Sequence, residues 1–196
     1  MRRFECVSDC SHRHRFGTLL PSAQATTREA EMMTKITEDD RRLLQRAVKL
    51  AAENAREEIE NPEGGPFGAV VARGSEIIAE GKNRVLVSHD PSAHAEIEAI
   101  RAACRKTQQW HLSGVTLYAS SEPCPMCLAA AYWARIERIV YANSRAEAKA
   151  IGFGDAEIYQ ELSLPEGQRR LVMIHLSLPD ASLPLVAWKR LGRTMY

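Results

Sequence analysis

Two short motifs stand out in the sequence: residues 94–96 read His-Ala-Glu, and residues 123–127 read Pro-Cys-Pro-Met-Cys. The histidine and the two cysteines offer one imidazole and two thiolates, a ligand set that binds zinc and leaves a fourth coordination position for water. Zinc lowers the pKa of such a water toward about 7, so a neighbouring carboxylate can accept its proton. The sequence therefore predicts a catalytic zinc centre.

The predicted zinc ligands are His94, Cys124 and Cys127, and the predicted general acid and base is Glu96. Two thiolates cancel the double charge of the ion, so Glu96 is not needed for charge balance. The spacing of the two cysteines turns both sulfurs to one side of a helix. Pro125 suits the first turn of that helix, and the partial positive charge at a helix N-terminus stabilises thiolates.

A structural zinc site is the alternative, since such sites take four protein ligands. Cys104 is the nearest further thiol, but it lies about 15 Å from His94 if residues 92–106 form a helix that rises about 1.5 Å per residue. His89 and His111 flank that helix and stay open as a fourth ligand. Neither of them explains an acid beside the ligand, so the motif favours the catalytic site.

Apolar periodicity and turn residues predict an alternation of helices and strands. Thr37 can cap the first helix together with Asp40, the apolar face continues to Ile59, and proline and glycine end the helix at residues 61–66. The further predicted elements are strands at 67–72 and 76–81, a helix at 92–106, a strand at 116–120, a helix ending at Arg135, a strand at 138–142, helices at 145–150 and 156–162, a strand at 171–176 and a helix at 183–191. This alternation is typical of an α/β fold, in which ligands bind at the carboxyl ends of strands.

The composition limits the class of protein. The chain has 196 residues, 45% hydrophobic and 26% charged, which is typical of one soluble globular domain. No apolar run approaches the roughly 18 residues of a membrane span, and 26 Lys and Arg against 25 Asp and Glu leave no basic excess for phosphates. We therefore expect no membrane partner and no nucleic-acid partner. Five cysteines, two of them in the second motif, fit a reducing compartment and predict a cytoplasmic location.

Residues 1–35 show neither helical nor alternating periodicity. We therefore predict a disordered N-terminal extension, followed by one catalytic domain at residues 36–196. One alternative for the extension is a second metal site, whose ligands would be Cys6, Cys10, His12 and His14. Another is that translation starts at Met32 or Met33.

Two further polar residues are candidates for binding a substrate. Asn83 follows the second predicted strand, where its amide could exchange hydrogen bonds with a purine edge, although it could also be an ordinary turn residue. Asp155 closes the loop at residues 152–155 and is predicted to face the same edge of the sheet. It could also be the N-cap of the following helix, and the two roles can coexist.

From residue 39 to residue 196 the chain resembles the bacterial guanine deaminases of the cytidine deaminase-like superfamily. The resemblance lies in the stretches GGPFGAV at 64–70, DPSAHAE at 90–96, EPCPMCL at 122–128, YWAR at 132–135 and IGFGD at 151–155. The zinc motifs are those of the whole superfamily of base deaminases. Asp155 and the aromatic end of the chain resemble the guanine-specific branch.

The resemblance implies a three-layer α/β/α fold around a central five-stranded mixed sheet. It also implies a hydrolase of purine metabolism that converts guanine and water into xanthine and ammonia. In such an enzyme His94, Cys124 and Cys127 would hold the zinc ion, and Glu96 would move the proton from water to the ring and to the leaving amine.

The same resemblance implies how a small purine base would be bound. Asn83 and Asp155 would hydrogen-bond the base, Phe67 would stack near it, and Tyr196 would close over it. In this family the C-terminal segment is commonly exchanged between protomers. The resemblance therefore implies a domain-swapped homodimer in which Tyr196 completes the partner's pocket.

Other functions remain open at this point. A transfer-RNA adenosine deaminase or a cytidine or deoxycytidylate deaminase would carry the same zinc motifs, because pocket contacts choose the base. The near-zero net charge disfavours a polyanionic RNA substrate. A zinc-stabilised binding module without activity is the alternative from a different class.

Overall fold

The computed structural model describes residues 33–56 and 60–192. The elements in chain order are α1 (Glu38–Asn54), β1 (Gly68–Arg73), β2 (Glu76–Lys82), α2 (Val85–Ser88), α3 (Ala95–Thr107), β3 (Thr116–Ser121), α4 (Pro125–Trp133), β4 (Arg138–Asn143), α5 (Arg145–Ala150), α6 (Asp155–Ser163), a short 3₁₀ helix (Glu166–Gln168) and α7 (Leu183–Arg190). None of the helices in these ranges has the length and apolar content of a membrane span.

Helix α1 begins at the predicted cap. The Thr37 hydroxyl accepts a hydrogen bond from the Asp40 N–H at 3.1 Å, and the Asp40 carboxylate accepts one from the Thr37 N–H at 2.7 Å. This capping box satisfies donors that a helix start leaves free. The helix ends at Asn54, before the predicted Ile59, because Asn54 turns its side chain toward neighbouring loops and Ala55 departs from helical torsion angles. Ile59 itself lies outside the described residues.

The four described strands form one mixed sheet in the order β2-β1-β3-β4. Strand β1 runs antiparallel to β2 and β3, with Ala69 opposite both Gly81 and Ala119, while β3 runs parallel to β4. The predicted hairpin between β1 and β2 is confirmed. Gly74 takes a left-handed conformation in its turn (φ +55°), which glycine adopts without a steric penalty.

Alternate side chains of β1 build the two halves of the core. Val70 lies in a buried cluster with Leu43 of α1, whereas Val71 lies in a second buried cluster with Ala99 of α3 and Ala131 of α4. Because successive side chains of a strand point to opposite faces, helices cover both sides of the sheet. The predicted three-layer α/β/α fold is confirmed.

The prediction of a strand at residues 171–176 is wrong for the described chain, so the sheet has four strands where five were expected. Residues 172–178 have no regular secondary structure. Apolar, β-preferring residues form a strand only where a neighbouring strand supplies hydrogen bonds and packing, and the described sheet does not include this stretch as a neighbour.

The C-terminal segment, defined here as residues 171–191, is apolar and exposed. Ile174 is 86% exposed, although its β-branched side chain is of a type that is usually buried. The other exposed large apolar side chains of the segment are Leu171, Val172, Met173, Leu176, Leu178, Leu183, Leu185, Val186, Trp188 and Leu191. Exposed apolar side chains gathered in one segment are typical of interaction sites.

Two glycines let helices approach the sheet closely. A Cβ on Gly81 would collide with the carbonyl oxygen of Ala95 at the start of α3, and a Cβ on Gly68 would collide with the carbonyl oxygen of Ala47 in α1. Any larger residue would push the helices outward. Since Ala95 directly follows His94, the close approach at Gly81 sets the height of a predicted zinc ligand above the sheet.

The end of the N-terminal extension contacts the sheet. Arg138 on β4 donates hydrogen bonds to the carbonyl oxygens of Met33 at 2.8 Å and Lys35 at 3.1 Å. One guanidinium therefore ties residues 33–35, the described end of the predicted extension, to the sheet. The rest of the extension, residues 1–32, lies outside the described residues together with its alternative metal site.

Asp40 is a buried carboxylate in the first turn of α1. It accepts hydrogen bonds from Arg138 at 2.6 and 3.1 Å and from the Tyr118 hydroxyl at 2.7 Å. The Arg138 guanidinium therefore holds the pKa of Asp40 well below its usual range. This ion pair joins α1 to β3 and β4 on one face of the sheet.

Replacing Asp40 with Asn is expected to lower the free energy of unfolding at pH 7 by about 3 kcal/mol, because the partly buried Arg138 loses its buried counter-charge. The native carboxyl has a lowered pKa. Its stabilising contribution is therefore full above the unfolded-state pKa of about 4 and is lost as the pH falls below that value. Urea unfolding of both proteins at pH 7 and pH 3 measures the two effects.

The matched control is Asp39→Asn on the neighbouring exposed position, where the carboxylate pairs with Arg42 in solvent. Its expected effect is below about 0.5 kcal/mol. If wild type and Asp40→Asn differ in stability by the same amount at pH 7 and at pH 3, the electrostatic role of Asp40 is wrong.

Candidate active site

The three predicted zinc ligands lie together at the starts of two helices. His94 is the N-cap of α3, Cys124 is the N-cap of α4, and Cys127 lies in the first turn of α4. The His94 Nδ1 atom is 3.6 Å from Cys124 Sγ and 3.5 Å from Cys127 Sγ. All three donor atoms lie within 4.8 Å of one another.

These separations fit a tetrahedral zinc ion. Nitrogen and sulfur ligands bound at about 2.1 and 2.3 Å in a tetrahedron are separated by about 3.6 Å, and His94 lies at 3.5 and 3.6 Å from the two sulfurs. One imidazole and two thiolates are also donors that zinc prefers over magnesium or calcium. The residues present therefore fit the predicted zinc ion.

Within residues 33–56 and 60–192, the cluster of side chains able to hold a metal consists of these three residues. The alternative ligands His89, Cys104 and His111 do not join it, as the helical spacing predicts for Cys104. A structural zinc site needs four protein ligands. Three converging donors therefore favour a site with one position open to water or substrate.

The start of α4 favours the thiolate form of Cys124. Its sulfur accepts a hydrogen bond from the Cys127 backbone N–H at 3.5 Å, in the place where a helix start leaves N–H groups free. Hydrogen bonds from Cys127 and His94 lower the pKa of Cys124 to about 4. A thiolate is the form of cysteine that binds metal.

Glu96 lies in the first turn of α3 and is 8% exposed. One of its carboxylate oxygens is 3.6 Å from Cys127 Sγ, so the acid lies directly beside the ligand cluster without belonging to it. Burial raises the pKa of the Glu96 carboxyl to about 7. A carboxyl with that pKa can both accept and release a proton near neutral pH.

A cavity of about 470 Å³ opens beside this cluster, a volume suited to a small ligand. The predicted site residues that line it are Phe67, Asn83, His94, Glu96, Cys124 and Asp155. Cys127 lies fully buried behind them. The remaining predicted contact, Tyr196, lies outside the described residues, so its place over the substrate stays a prediction.

Asn83 is buried and its amide orientation follows from its hydrogen bonds. The Oδ1 atom accepts from the Gly65 N–H at 3.1 Å and from the Val85 N–H at 3.2 Å. Two backbone donors on one atom identify that atom as the oxygen. The Nδ2 group is therefore left as a donor at the wall of the cavity.

Asp155 is the first residue of α6, and Gly154 is the N-cap. The alternative that Asp155 is itself the cap is therefore not observed. Burial is the main cause that raises the pKa of its carboxyl, and the nearby Cys124 adds to the rise. An acceptor placed in the cavity wall is suited to the N–H groups of a base.

Phe153 is a cavity residue that sequence reasoning missed. Its ring packs edge-on against the ring of Phe67, with centroids 4.6 Å apart and an angle of 78° between the planes. Such pairs are favourable beyond their area because the ring edge meets the ring face. The signal that could have revealed it is the position of Phe153 between two glycines, directly before the predicted Asp155 loop.

A second missed group supports the loop before Cys124. Arg145 forms an ion pair with Glu122 and lies over the ring of Tyr159, 3.6 Å from the ring centroid. The Tyr159 hydroxyl donates a hydrogen bond to the carbonyl oxygen of Pro123 at 2.9 Å. These contacts tie α5 and α6 to the residues that precede the first thiolate.

Comparison with known proteins matches this site to a family. Residues 37–143 match the model described as the cytidine and deoxycytidylate deaminase zinc-binding region. The matched range contains all three metal-ligating side chains and Glu96, and it spans more than half of the chain.

Individual relatives extend the match beyond the zinc-binding region. A guanine deaminase of Bacillus subtilis (strain 168) is 44% identical over 146 residues, which are 74% of this chain and 91% of that protein. A transfer-RNA-specific adenosine deaminase of Aquifex aeolicus (strain VF5) is 35% identical over 135 residues, which are 69% of this chain and 86% of that protein. An X-ray structure of guanine deaminase from Bacillus subtilis matches with a TM-score of 0.74 and 40% identity, covering 82% of this chain and 99% of that one.

Proposed function

Because the chain belongs to the cytidine and deoxycytidylate deaminase zinc-binding family, we propose that it is a zinc-dependent hydrolase that converts guanine and water into xanthine and ammonia. The observation that carries this proposal is one cavity beside three converging metal donors, lined by a buried acid, Glu96, and by the polar side chains of Asn83 and Asp155. The similarity to a guanine deaminase over nearly all of that relative's length supports the choice of base.

The proton transfers are assigned to Glu96. His94, Cys124 and Cys127 would hold the zinc ion, which when bound would lower the pKa of the attacking water. Glu96 accepts one proton from the attacking water and gives it to N3 of the ring while the oxygen bonds to C2. It then takes the remaining hydroxyl proton and gives it to the amine, so that the C2–N bond breaks and ammonia leaves. A carboxyl pKa of about 7 suits both directions of transfer.

The other cavity residues are proposed to bind and orient the purine. Asn83 offers N–H donors, which match the N7 and O6 acceptors of guanine. Asp155 offers carboxylate acceptors for ring N–H or amino groups. Phe67 supplies an apolar wall for the flat ring, and its edge-on contact with Phe153 holds its orientation.

The proposed function is tested by measuring ammonia release from guanine, guanosine, adenine, cytidine, ammeline and a transfer-RNA anticodon stem-loop. Guanine is expected to be the best substrate, with xanthine as the second product. Release of ammonia from the stem-loop but not from guanine would instead identify a transfer-RNA adenosine deaminase. Release from none of these by zinc-loaded protein would favour the binding-module alternative.

We also propose that the enzyme acts in guanine catabolism in the cytoplasm. The three cysteines in the described part of the chain, Cys104, Cys124 and Cys127, are free thiols. Free thiols are typical of a reducing compartment, and thiolates that bind zinc must stay reduced.

The homodimer is a further proposal, and it is supported by the exposed C-terminal segment. A monomer rarely exposes a large apolar surface, and a second copy of the chain could cover the exposed apolar side chains of this segment. The segment leads directly to Tyr196. We propose that two copies exchange this segment, so that Tyr196 of each chain closes the cavity of the other.

Subunit complementation is expected to reveal such an exchange. One parent is Glu96→Gln, which keeps Tyr196, and the other is a truncation after residue 192, which keeps Glu96. If the segment is exchanged, the mixed dimer has one cavity with an intact Glu96 and an intact Tyr196 from the partner. Co-refolded parents should therefore regain guanine deamination that neither shows alone.

The control is each parent refolded with itself, which provides no complete cavity. If Tyr196 closes the cavity of its own chain, the mixture stays as inactive as the parents. Size-exclusion chromatography with light scattering of the wild type gives the oligomeric state separately, and a monomer at assay concentration would contradict the exchange.

A further inference from the structure

Asn54, the last residue of α1, links two walls of the cavity from behind. The side chain is 5% exposed. Its Nδ2 group donates one hydrogen bond to the carbonyl oxygen of Asn83 at 2.8 Å and one to the carbonyl oxygen of Gly65 at 3.2 Å. Gly65 and Asn83 both line the cavity, but they belong to loops before β1 and after β2. One buried amide therefore links those loops, in addition to the direct hydrogen bond from the Asn83 N–H to the carbonyl oxygen of Phe67 at 3.1 Å.

The linked loops in turn hold the Asn83 side chain. Its Oδ1 atom accepts from the N–H of Gly65 and from the N–H of Val85. The loop lies so close that a Cβ on Gly64 would collide with both the Oδ1 atom and the carbonyl oxygen of Asn83. The Asn83 amide thus has a single orientation, with its oxygen occupied and its Nδ2 group left to donate into the cavity.

The importance of the Asn54 amide follows from the hydrogen bonds that its removal would break. Removal of its amide would leave the carbonyl oxygen of Asn83 without its donor, whereas the carbonyl oxygen of Gly65 would keep the hydrogen bond from the Phe67 N–H at 2.8 Å. Because a buried carbonyl group needs a partner, the backbone at Asn83 would then shift toward water or a new donor. The Asn83 side chain accepts from the Gly65 N–H and the Val85 N–H, so a shift of its backbone would change the direction of its Nδ2 donor.

We propose that Asn54 is a positioning residue that sets the affinity for the purine base through Asn83. This inference rests on the proposed function. It adds a residue that controls the affinity and selectivity for bases that present an acceptor to Asn83. Asn54 does not touch the substrate itself. Its removal should weaken base binding and spare the proton transfers of Glu96, which lies on α3.

The first test is the split between KM and kcat for guanine. Asn54→Ala is expected to raise KM about tenfold, since a lost buried hydrogen bond network costs about that factor, with kcat changed less than about threefold. Zinc content should stay at one ion per chain. The control is Glu53→Ala in the same helical turn, which loses only a contact to Arg46 and should leave KM unchanged.

A double-mutant cycle with Asn83→Ala tests whether Asn54 acts through Asn83. Asn83→Ala alone is expected to lower kcat/KM about a hundredfold, through loss of the donor to the base. Adding Asn54→Ala to it should lower kcat/KM less than about twofold further, because coupled residues are not additive. A double variant that loses the full product of the two single effects, or an Asn54→Ala enzyme with wild-type KM, would overturn the proposal.

Asn54→Ser keeps one hydrogen-bond donor, and it replaces Asn54→Ala in these measurements if the alanine variant does not fold. Its KM should rise about threefold, again only when Asn83 is present. The ammonia measurements on the wild type separate a failure of the proposed function from a failure of the proposed role of Asn54. If the wild type prefers another base, the proposed function fails, and the same cycle is run with that base. If the wild type deaminates guanine and the cycle is additive, only the role of Asn54 fails.

Discussion

Replacement of Glu96 with Gln is expected to lower kcat for guanine about a thousandfold or more, while the protein still binds one zinc ion per chain. Glutamine keeps the size of the side chain but cannot take up the proton, and general acid and base catalysis contributes about a hundredfold to ten-thousandfold. In the proposed reaction the buried Glu96 serves both proton transfers, so a single substitution should disable both. Steady-state kinetics and metal analysis of the purified variant measure the effect.

The matched control for this prediction is Glu98→Gln. Glu98 lies two residues further on the same helix and pairs with Arg101 at 2.8 Å. Its replacement therefore removes an acid from α3 without removing the proposed proton-transfer group. Its kcat should stay within about twofold of the wild type. A zinc-loaded Glu96→Gln enzyme that turns over guanine at the wild-type rate would refute the role of Glu96.

The ligand cluster could be predicted from the sequence because its geometry is local. Cys124 and Cys127 share one helical turn, and Pro125 marks the start of that turn, so the spacing alone brings the two sulfurs together. His94 comes from a distant segment, but it too lies at the start of a helix that follows a strand in the chain. In an α/β sheet the carboxyl ends of the strands, near which such helices begin, meet on one edge.

The prediction of a fifth strand was wrong because a strand depends on contacts that are not local. Residues 171–176 have the composition of a strand, but a strand depends on a neighbour that composition does not specify. The proposed exchange between chains would supply one from outside. The composition gives the segment a strand propensity, and the information that the sequence lacks is which surface covers it.

The supporting residues were missed because their contacts join distant parts of the chain. Asn54 and Asn83 are separated by 29 positions, and Arg145 and Glu122 by 23. None of these residues forms a spacing pattern with its neighbours. Phe153 was missed for the same reason, since its partner Phe67 lies before β1, far from Phe153 in the chain. Such contacts follow from the folded chain and not from periodicity.

Replacement of Cys127 with Ser is expected to remove zinc and activity together. A hydroxyl does not ionise at neutral pH and is a poor zinc ligand, whereas the fully buried Cys127 sulfur lies 3.5 Å from His94 Nδ1 in the ligand cluster. Loss of groups that only orient a ligand costs 10- to 100-fold in metal affinity, and loss of a ligand should cost more than about a hundredfold. Competition with a chromogenic chelator measures the affinity.

Cys104→Ser is the control, because Cys104 is a free thiol outside the ligand cluster. It should keep wild-type zinc affinity and activity. Stoichiometric zinc in Cys127→Ser would show that another side chain completes the site and would revive the structural alternative. Cobalt substitution of the wild type separates the two kinds of site further. An open coordination position predicts a spectrum that changes when a purine or an exogenous anion is added, whereas four protein ligands predict a spectrum that does not.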